Sequence, residues 1–114
     1  MISKELLSII LDEYIETVLI NKKDNTDNNI YYCDFETTDY IDCFAINIYE
    51  LAHKCKEWAD KQNFAIKSYI WFGKGKSIFT DLEDKVYSTM FDAETEPEAI
   101  IKACEWILQN KENK

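Results

Sequence analysis

Apolar positions recur along this chain first with helical spacing, then with strand spacing, then with helical spacing again, and that alternation lays out the fold. Leu7, Ile10, Leu11, Tyr14, Ile15, Val18 and Leu19 repeat as one helical face, and Ser3 stands where an N-cap belongs. A first helix is therefore predicted from about residue 3 to about Ile20. Residues 21–29 hold no apolar side chain and are dense in asparagine and aspartate, which predicts a surface loop. Residues 30–46 mix aromatic and acidic side chains in no single period, so a short strand near 30–35 followed by irregular structure is predicted. Asn47 and Glu50 then form a capping box ahead of Ile48, Leu51, Ala52, Cys55, Trp58 and Ala59, predicting a second helix over about 48–62.

The period changes to that of a strand at Phe64. Phe64, Ile66, Ile70 and Phe72 share one face of a predicted strand over 64–72, with Lys67, Tyr69 and Trp71 on the other. Gly73-Lys74-Gly75 reads as a turn, Ser77 to Leu82 as a second strand, Glu83-Asp84 as a further turn, and Lys85 to Phe91 as a third strand. Helical spacing returns after Thr95. Thr95 and Glu98 form a capping box, Pro97 falls in the first turn where a missing N–H is tolerated, and Glu94, Glu96 and Glu98 suit the positive end of the helix dipole. Ile100, Ala103, Cys104, Ile107 and Leu108 make its buried stripe, and the helix should end near Asn110. The predicted fold is a single α+β domain over 1–114, with a three- or four-stranded antiparallel meander covered by helices in helix–sheet–helix layering.

Composition narrows the partners. A chain of 114 residues with 14% aromatics, two glycines and one proline has the makings of one modest, well-packed core. Its formal net charge is −9 and its 13 cations are all lysines. Phosphate backbones need clustered Lys and Arg, so direct binding of DNA or RNA is not expected. The missing arginines also remove the bidentate forks that grip phosphate and carboxylate. An acidic surface suits solubility or a basic protein partner. No apolar run approaches the roughly 20 residues of a membrane span, and a basic segment followed by an apolar core is missing from the N-terminal region, so a cytoplasmic location is expected.

Candidate chemistry is sparse. Cys33, Cys43, Cys55 and Cys104 show no CxxC spacing. Cys55 and Cys104 fall on apolar helix faces and are expected to be buried thiols, whereas Cys33 and Cys43 are open between core residues and an exposed pair, reduced in a cytosol. His53 and Cys55 point about 200° apart on a helix and cannot share one ion, so His53 is expected at the surface and no cofactor is expected. Gly73-Lys74-Gly75-Lys76 lacks the strand-to-helix setting of a phosphate loop. Asp34, Glu36, Asp39 and Asp42 could line a magnesium site with Asp81, Glu83 or Asp84, because hard cations take oxygen ligands. Trp106 sits about 200° around its helix from the buried stripe, so it is either covered by the first helix or by residues 30–46, or it anchors an interface. Tyr69 and Trp71 carry the same alternative: core if both sheet faces are covered, an aromatic binding patch if one is open.

The order of the last two thirds of the chain, with a helix ending near Gln62, aromatic-rich antiparallel strands and the Glu94-Thr95-Glu96-Pro97-Glu98-Ala99-Ile100 lead into a terminal helix carrying Ala103, resembles the small phage and prophage proteins of the phage ABA sandwich domain family over about residues 45–110. The long first helix and residues 21–46 depart from that pattern. The resemblance implies helix–sheet–helix layering and a phage origin, and it carries over no catalytic residues. The expected function is that of a small acidic, non-catalytic phage protein that binds a host protein and inhibits a nucleic-acid-handling defence complex in the manner of an anti-CRISPR. Tyr69, Trp71, Trp106, Asp34, Glu36, Asp39 and Asp42 are its candidate interface. The alternatives are a small carboxylate- and divalent-metal-dependent enzyme acting on a nucleotide-type metabolite, and a homodimeric accessory domain.

Overall fold

The computed structural model describes residues 2–20, 28–39, 41–81 and 88–112. It opens with α1 (Lys4–Leu11), capped by the Ser3 hydroxyl, which accepts the Leu6 N–H at 3.1 Å. The predicted continuation to Ile20 does not form. Asp12 takes a left-handed conformation (φ 54, ψ 47) and its N–H closes back on the Ser8 carbonyl, ending the helix. Residues 17–20 instead make β1 (Thr17–Ile20). Thr17, Val18 and Ile20 are β-branched; they lose side-chain freedom in a helix and pack well on a pleated surface, so pairing overrides the helical spacing.

Strand β1 pairs antiparallel with β2 (Asn29–Cys33), and β2 with β3 (Phe44–Asn47). The expected strand near 30–35 is thus present. The segment expected to be irregular up to residue 46 contributes a further strand, because Ile30 faces Ile46 and both are buried. Of the loop predicted over 21–29, residues 21–27 lie outside the described residues, and Asn29 already belongs to β2. Asn47 ends β3 and caps α2 (Ile48–Lys61), its Oδ1 accepting the N–H groups of Tyr49 at 2.9 Å and Glu50 at 3.4 Å.

A second antiparallel meander follows, with β4 (Phe64–Trp71), β5 (Lys74–Asp81) and β6 (Ser88–Ala93) in sequence order. Its first turn is Phe72-Gly73 rather than Gly73-Lys74-Gly75, with φ of 52° and 78°, the hand of a two-residue type I′ hairpin. Gly75 lies inside β5, opposite Ile70. A Cβ there would come within 2.0 Å of the Thr95 carbonyl carbon and oxygen, so glycine is what lets β5 run directly beneath the start of the last helix. The turn predicted at Glu83-Asp84 lies outside the described residues. Helix α3 (Glu96–Glu112) begins as its capping signal foretells, with the Thr95 hydroxyl accepting the Glu98 N–H at 3.3 Å, and runs slightly past Asn110.

The fold is α+β, with two three-stranded antiparallel sheets and three helices among the described residues. One apolar core joins Leu6 and Leu7 of α1, Leu51 and Cys55 of α2, Ile100, Cys104 and Ile107 of α3, and Ile30 and Ile46 of the first sheet. Phe64 and Ile66 of β4 pack on it from the second sheet. Burying a leucine or isoleucine in full is worth about 1.5–3 kcal/mol, so these few residues carry much of the stability of so small a domain. Polar ties fix the layers. The buried Ser77 hydroxyl of β5 donates to the Ala99 carbonyl of α3 at 2.7 Å, and Ser68 of β4 donates to the Glu96 carboxylate. Both the N–H and the hydroxyl of Ser3 donate to Glu105 Oε1, at 2.9 and 2.8 Å, docking α1 on α3. Among the described residues no helix is long and apolar enough to cross a membrane.

Candidate functional site

Strand alternation sends Lys67, Tyr69 and Trp71 of β4, Lys74, Lys76 and Ile78 of β5, and Met90 and Asp92 of β6 to the side of the second sheet away from the helices. That side is open. Trp71 is 57% and Met90 54% exposed, and the Tyr69 hydroxyl reaches across β5 to the Met90 sulfur at 4.0 Å. Lys76 pairs with Asp92 at 2.8 Å and Lys74 with Glu94 at 3.6 Å, so on this face the middle strand carries paired lysines while Tyr69, Trp71 and Met90 stand on the two outer strands. Tyr69 and Trp71 are therefore not covered by a second helical layer.

The apolar surface continues over the hairpin tip. Ile70 and Phe72 were expected to share the core face with Phe64 and Ile66, but they are 67% and 90% exposed. Two geometrical facts cause this. The helices cover only the first part of β4, since opposite Ile70 the backbone of Thr95 already fills the space over Gly75. Phe72 is not in the strand at all; its left-handed φ turns the ring outward, edge-on to Trp71 with ring centroids 5.2 Å apart. Ile70, Phe72 and Met90 escaped the sequence reading. The Phe72-Gly73 pair between two matched runs was the available signal, since two-residue loops are the common hairpin connection.

Trp106 belongs elsewhere. It is half-buried, packs against the core and lines a groove of about 370 Å³ with Phe91, Ile101 and Glu105. Phe91 is on the helix side of β6, opposite Ser77, so Trp106 and the Tyr69–Trp71 face lie on opposite sides of the second sheet. Its partial burial follows from the breadth of the buried arc of α3, where Ile101 joins Ile100, Ala103, Cys104, Ile107 and Leu108 in the interior.

Asp34, Glu36, Asp39 and Asp42 gather in the connection between β2 and β3, all exposed. Polar contacts join its described residues. The Asp39 carboxylate accepts the Ile41 N–H at 3.0 Å, the Thr37 hydroxyl accepts the Asp39 N–H at 3.1 Å, and the Thr17 hydroxyl donates to the Phe35 carbonyl at 2.8 Å. Exposed apolar side chains are interleaved with the carboxylates: Phe35, Ile41 and Phe44, with Tyr14 alongside. A hollow of about 410 Å³ opens among Glu13, Tyr14, Tyr32, Asp34 and Phe44. Burial, then the carboxylates of Glu13 and Glu50, hold the Tyr32 phenol above its ordinary pKa.

Among the described residues, no three His, Cys, Asp or Glu side chains converge as metal ligands do; the side chain of Asp81 and the whole of Glu83 and Asp84 lie outside them. His53 is exposed on α2 and pairs with Glu57 at 3.5 Å on its own helix. Cys55 and Cys104 are buried as expected, the Cys104 thiol donating to the Cys55 carbonyl at 3.4 Å. Contact with Cys55, then burial, push the Cys104 thiol up from its ordinary pKa, which makes it an inert core group. No protein-family model, curated protein or solved structure proves similar to this chain.

Proposed function

We propose that this chain is a small, non-catalytic protein-binding domain of phage origin that docks on a host protein through the open face of its second sheet. One observation carries the reading: a bulky, non-glycine residue, Phe72, holds a left-handed backbone with its ring 90% exposed, edge-on to the exposed Trp71 of that face. Left-handed backbone costs an L-residue about 1–2 kcal/mol, and an exposed ring returns nothing to the fold. Strain and exposure coincide where a side chain serves contact with something outside the domain. Exposed aromatic residues, Trp and Tyr above all, are the usual anchors of protein interfaces.

The acidic end of the first sheet supports a basic partner. Asp34, Glu36, Asp39 and Asp42 present negative charge interleaved with apolar side chains, and the whole chain carries −9. A protein whose own groove is built to hold a nucleic acid offers the complementary surface, so a nucleic-acid-handling defence complex of the host is the partner class proposed, with inhibition by occupancy as the consequence. The test is a capture experiment from host lysate at low salt with wild-type protein and with the Trp71→Ala/Phe72→Ala double variant. The reading expects one nucleic-acid-handling complex to be retained by the wild type and released by the double variant. Retention of the same proteins by both, or of none by either, overturns it. A wild-type mass by light scattering of twice the chain mass, reverting in the double variant, would show instead that the face pairs with a second copy.

A further inference from the structure

Cys33 ends β2, and Cys43 stands immediately before β3. The register of the two strands sets Tyr32 opposite Phe44, so the next step outward brings Cys33 opposite Cys43. Across the same ladder the Ile48 N–H donates to the Asn28 carbonyl at 2.7 Å, which marks that pair as a hydrogen-bonded one. Bonded and non-bonded pairs alternate, so the Cys33/Cys43 position is non-bonded, the kind in which Cα atoms stand about 4.5 Å apart and side chains come closest. Disulfides span Cα separations of about 4.4–6.8 Å. The side chains agree with the backbone. Both thiols point into the intervening loop, Cys33 Sγ donating to the Phe35 carbonyl at 3.2 Å and Cys43 Sγ to the Asp39 carbonyl at 3.7 Å, and the Cys33 thiol is near enough to Cys43 to raise its pKa.

We infer that Cys33 and Cys43 are a reversible disulfide site, closed by small-molecule disulfides such as oxidised glutathione, which clamps the base of the acidic 34–42 connection. The half-buried Cys43 is the point of attack and the buried Cys33 the resolving partner. The Cys43 thiolate attacks one glutathione sulfur, giving a mixed disulfide and releasing one glutathione thiolate. The Cys33 thiolate then attacks the Cys43 sulfur and releases the second. The protein loses two thiol hydrogens and two electrons, and both electrons end on glutathione. Burial, the Cys33 thiol and the carboxylates of Asp39 and Asp42 push Cys43 up to about 11, so closing is slow at neutral pH and quickens as the solution is made alkaline. Cys55 and Cys104 are the internal control: they too adjoin, but both are fully buried between α2 and α3, beyond the reach of the reagent. This inference does not depend on the docking reading.

The full chain is incubated with oxidised glutathione at mildly alkaline pH, trapped with an alkylating agent and mapped by peptide mass without reduction. The expected product carries one internal Cys33–Cys43 link with Cys55 and Cys104 unreacted, melts several degrees higher, and reverts on reduction. Cys33→Ser should stop at glutathione on Cys43, and Cys43→Ser should take up none. Glutathione remaining on Cys43 of the wild type, a Cys43-linked dimer, or a link involving Cys55 or Cys104 would overturn it; the wild-type map decides even if a serine variant fails to fold.

Discussion

The two sheets have the same topology, three antiparallel strands joined in sequence order, yet they are finished differently. The second has strands of 8, 8 and 6 residues, seats α3 against one face through Gly75 and Ser77, and leaves the other face open with aromatic side chains on its outer strand β4. The first has strands of 4, 5 and 4 residues, puts only a few side chains such as Ile30 and Ile46 into the core, and spends its longest described connection on carboxylates. One sheet is a platform held rigidly from below, and the other is a short frame for an ordered acidic loop. Contact area and charge are thereby supplied by different parts of the domain, and each can be altered without unfolding the other.

The largest effect should come from the seat of the platform. Gly75→Ala has no room for its methyl group against the Thr95 backbone, and the displacement of α3 should cost about 3 kcal/mol, read as a large drop in the thermal midpoint. An unchanged midpoint would mean that sheet and helix are not tightly joined. Next, Trp71→Ala on the open face should leave the midpoint within about 0.5 kcal/mol of wild type. Its cost should appear in partner affinity, about 2 kcal/mol or roughly thirtyfold in Kd by calorimetry. A loss of stability without loss of affinity would make the platform a core face after all. Phe72→Asn should separate the two terms further, raising stability by about 1 kcal/mol because asparagine suits the left-handed turn before Gly73, while weakening binding.

The smallest effect belongs to the first sheet. Glu16, just before β1, accepts the Tyr14 hydroxyl and pairs with Lys4 at 3.6 Å. The Tyr14 hydrogen bond and then the Lys4 charge hold its carboxyl below the ordinary value. A folded-state pKa below the unfolded one gives stability that is present above the unfolded value and is lost as pH falls through the folded value. Both groups are at the surface and screened, so the loss should be slight. NMR titration of the Glu16 side chain should give a midpoint below that of an unpaired glutamate, and Tyr14→Phe should move it up.

The helices α2 and α3 were legible because capping residues and apolar stripes agree with each other at Asn47 and Thr95. The end of α1 was not, because Tyr14, Ile15, Val18 and Leu19 keep helical spacing by coincidence after Asp12 has already turned the chain. The second meander was legible in outline, but its turn was placed late: Gly75 looked like a turn glycine and is a strand glycine whose reason, the Thr95 backbone, lies 20 positions away. Of the candidate interface, Tyr69 and Trp71 followed from strand alternation once the uncovered face was known. Trp106 could not be placed from its own helix, since the covering of α3 depends on elements distant in sequence. Asp34, Glu36, Asp39 and Asp42 were visible as charges but not as a loop ordered around Thr37 and Asp39, because contacts two residues apart need a fixed backbone to form.

The Ser3–Glu105 contact joins residues 102 positions apart, whereas every strand pairing in both sheets is between neighbours in sequence. Local pairings can form as soon as their segments exist, while a contact of such separation must wait for almost all of the chain. During synthesis the tie between α1 and α3 therefore cannot close until α3 has left the ribosome, and the core around Leu6 and Leu7 stays incomplete until then. Docking of this first helix should be the last step in the maturation of the domain, and the step at which a nascent chain is most open to capture by chaperones.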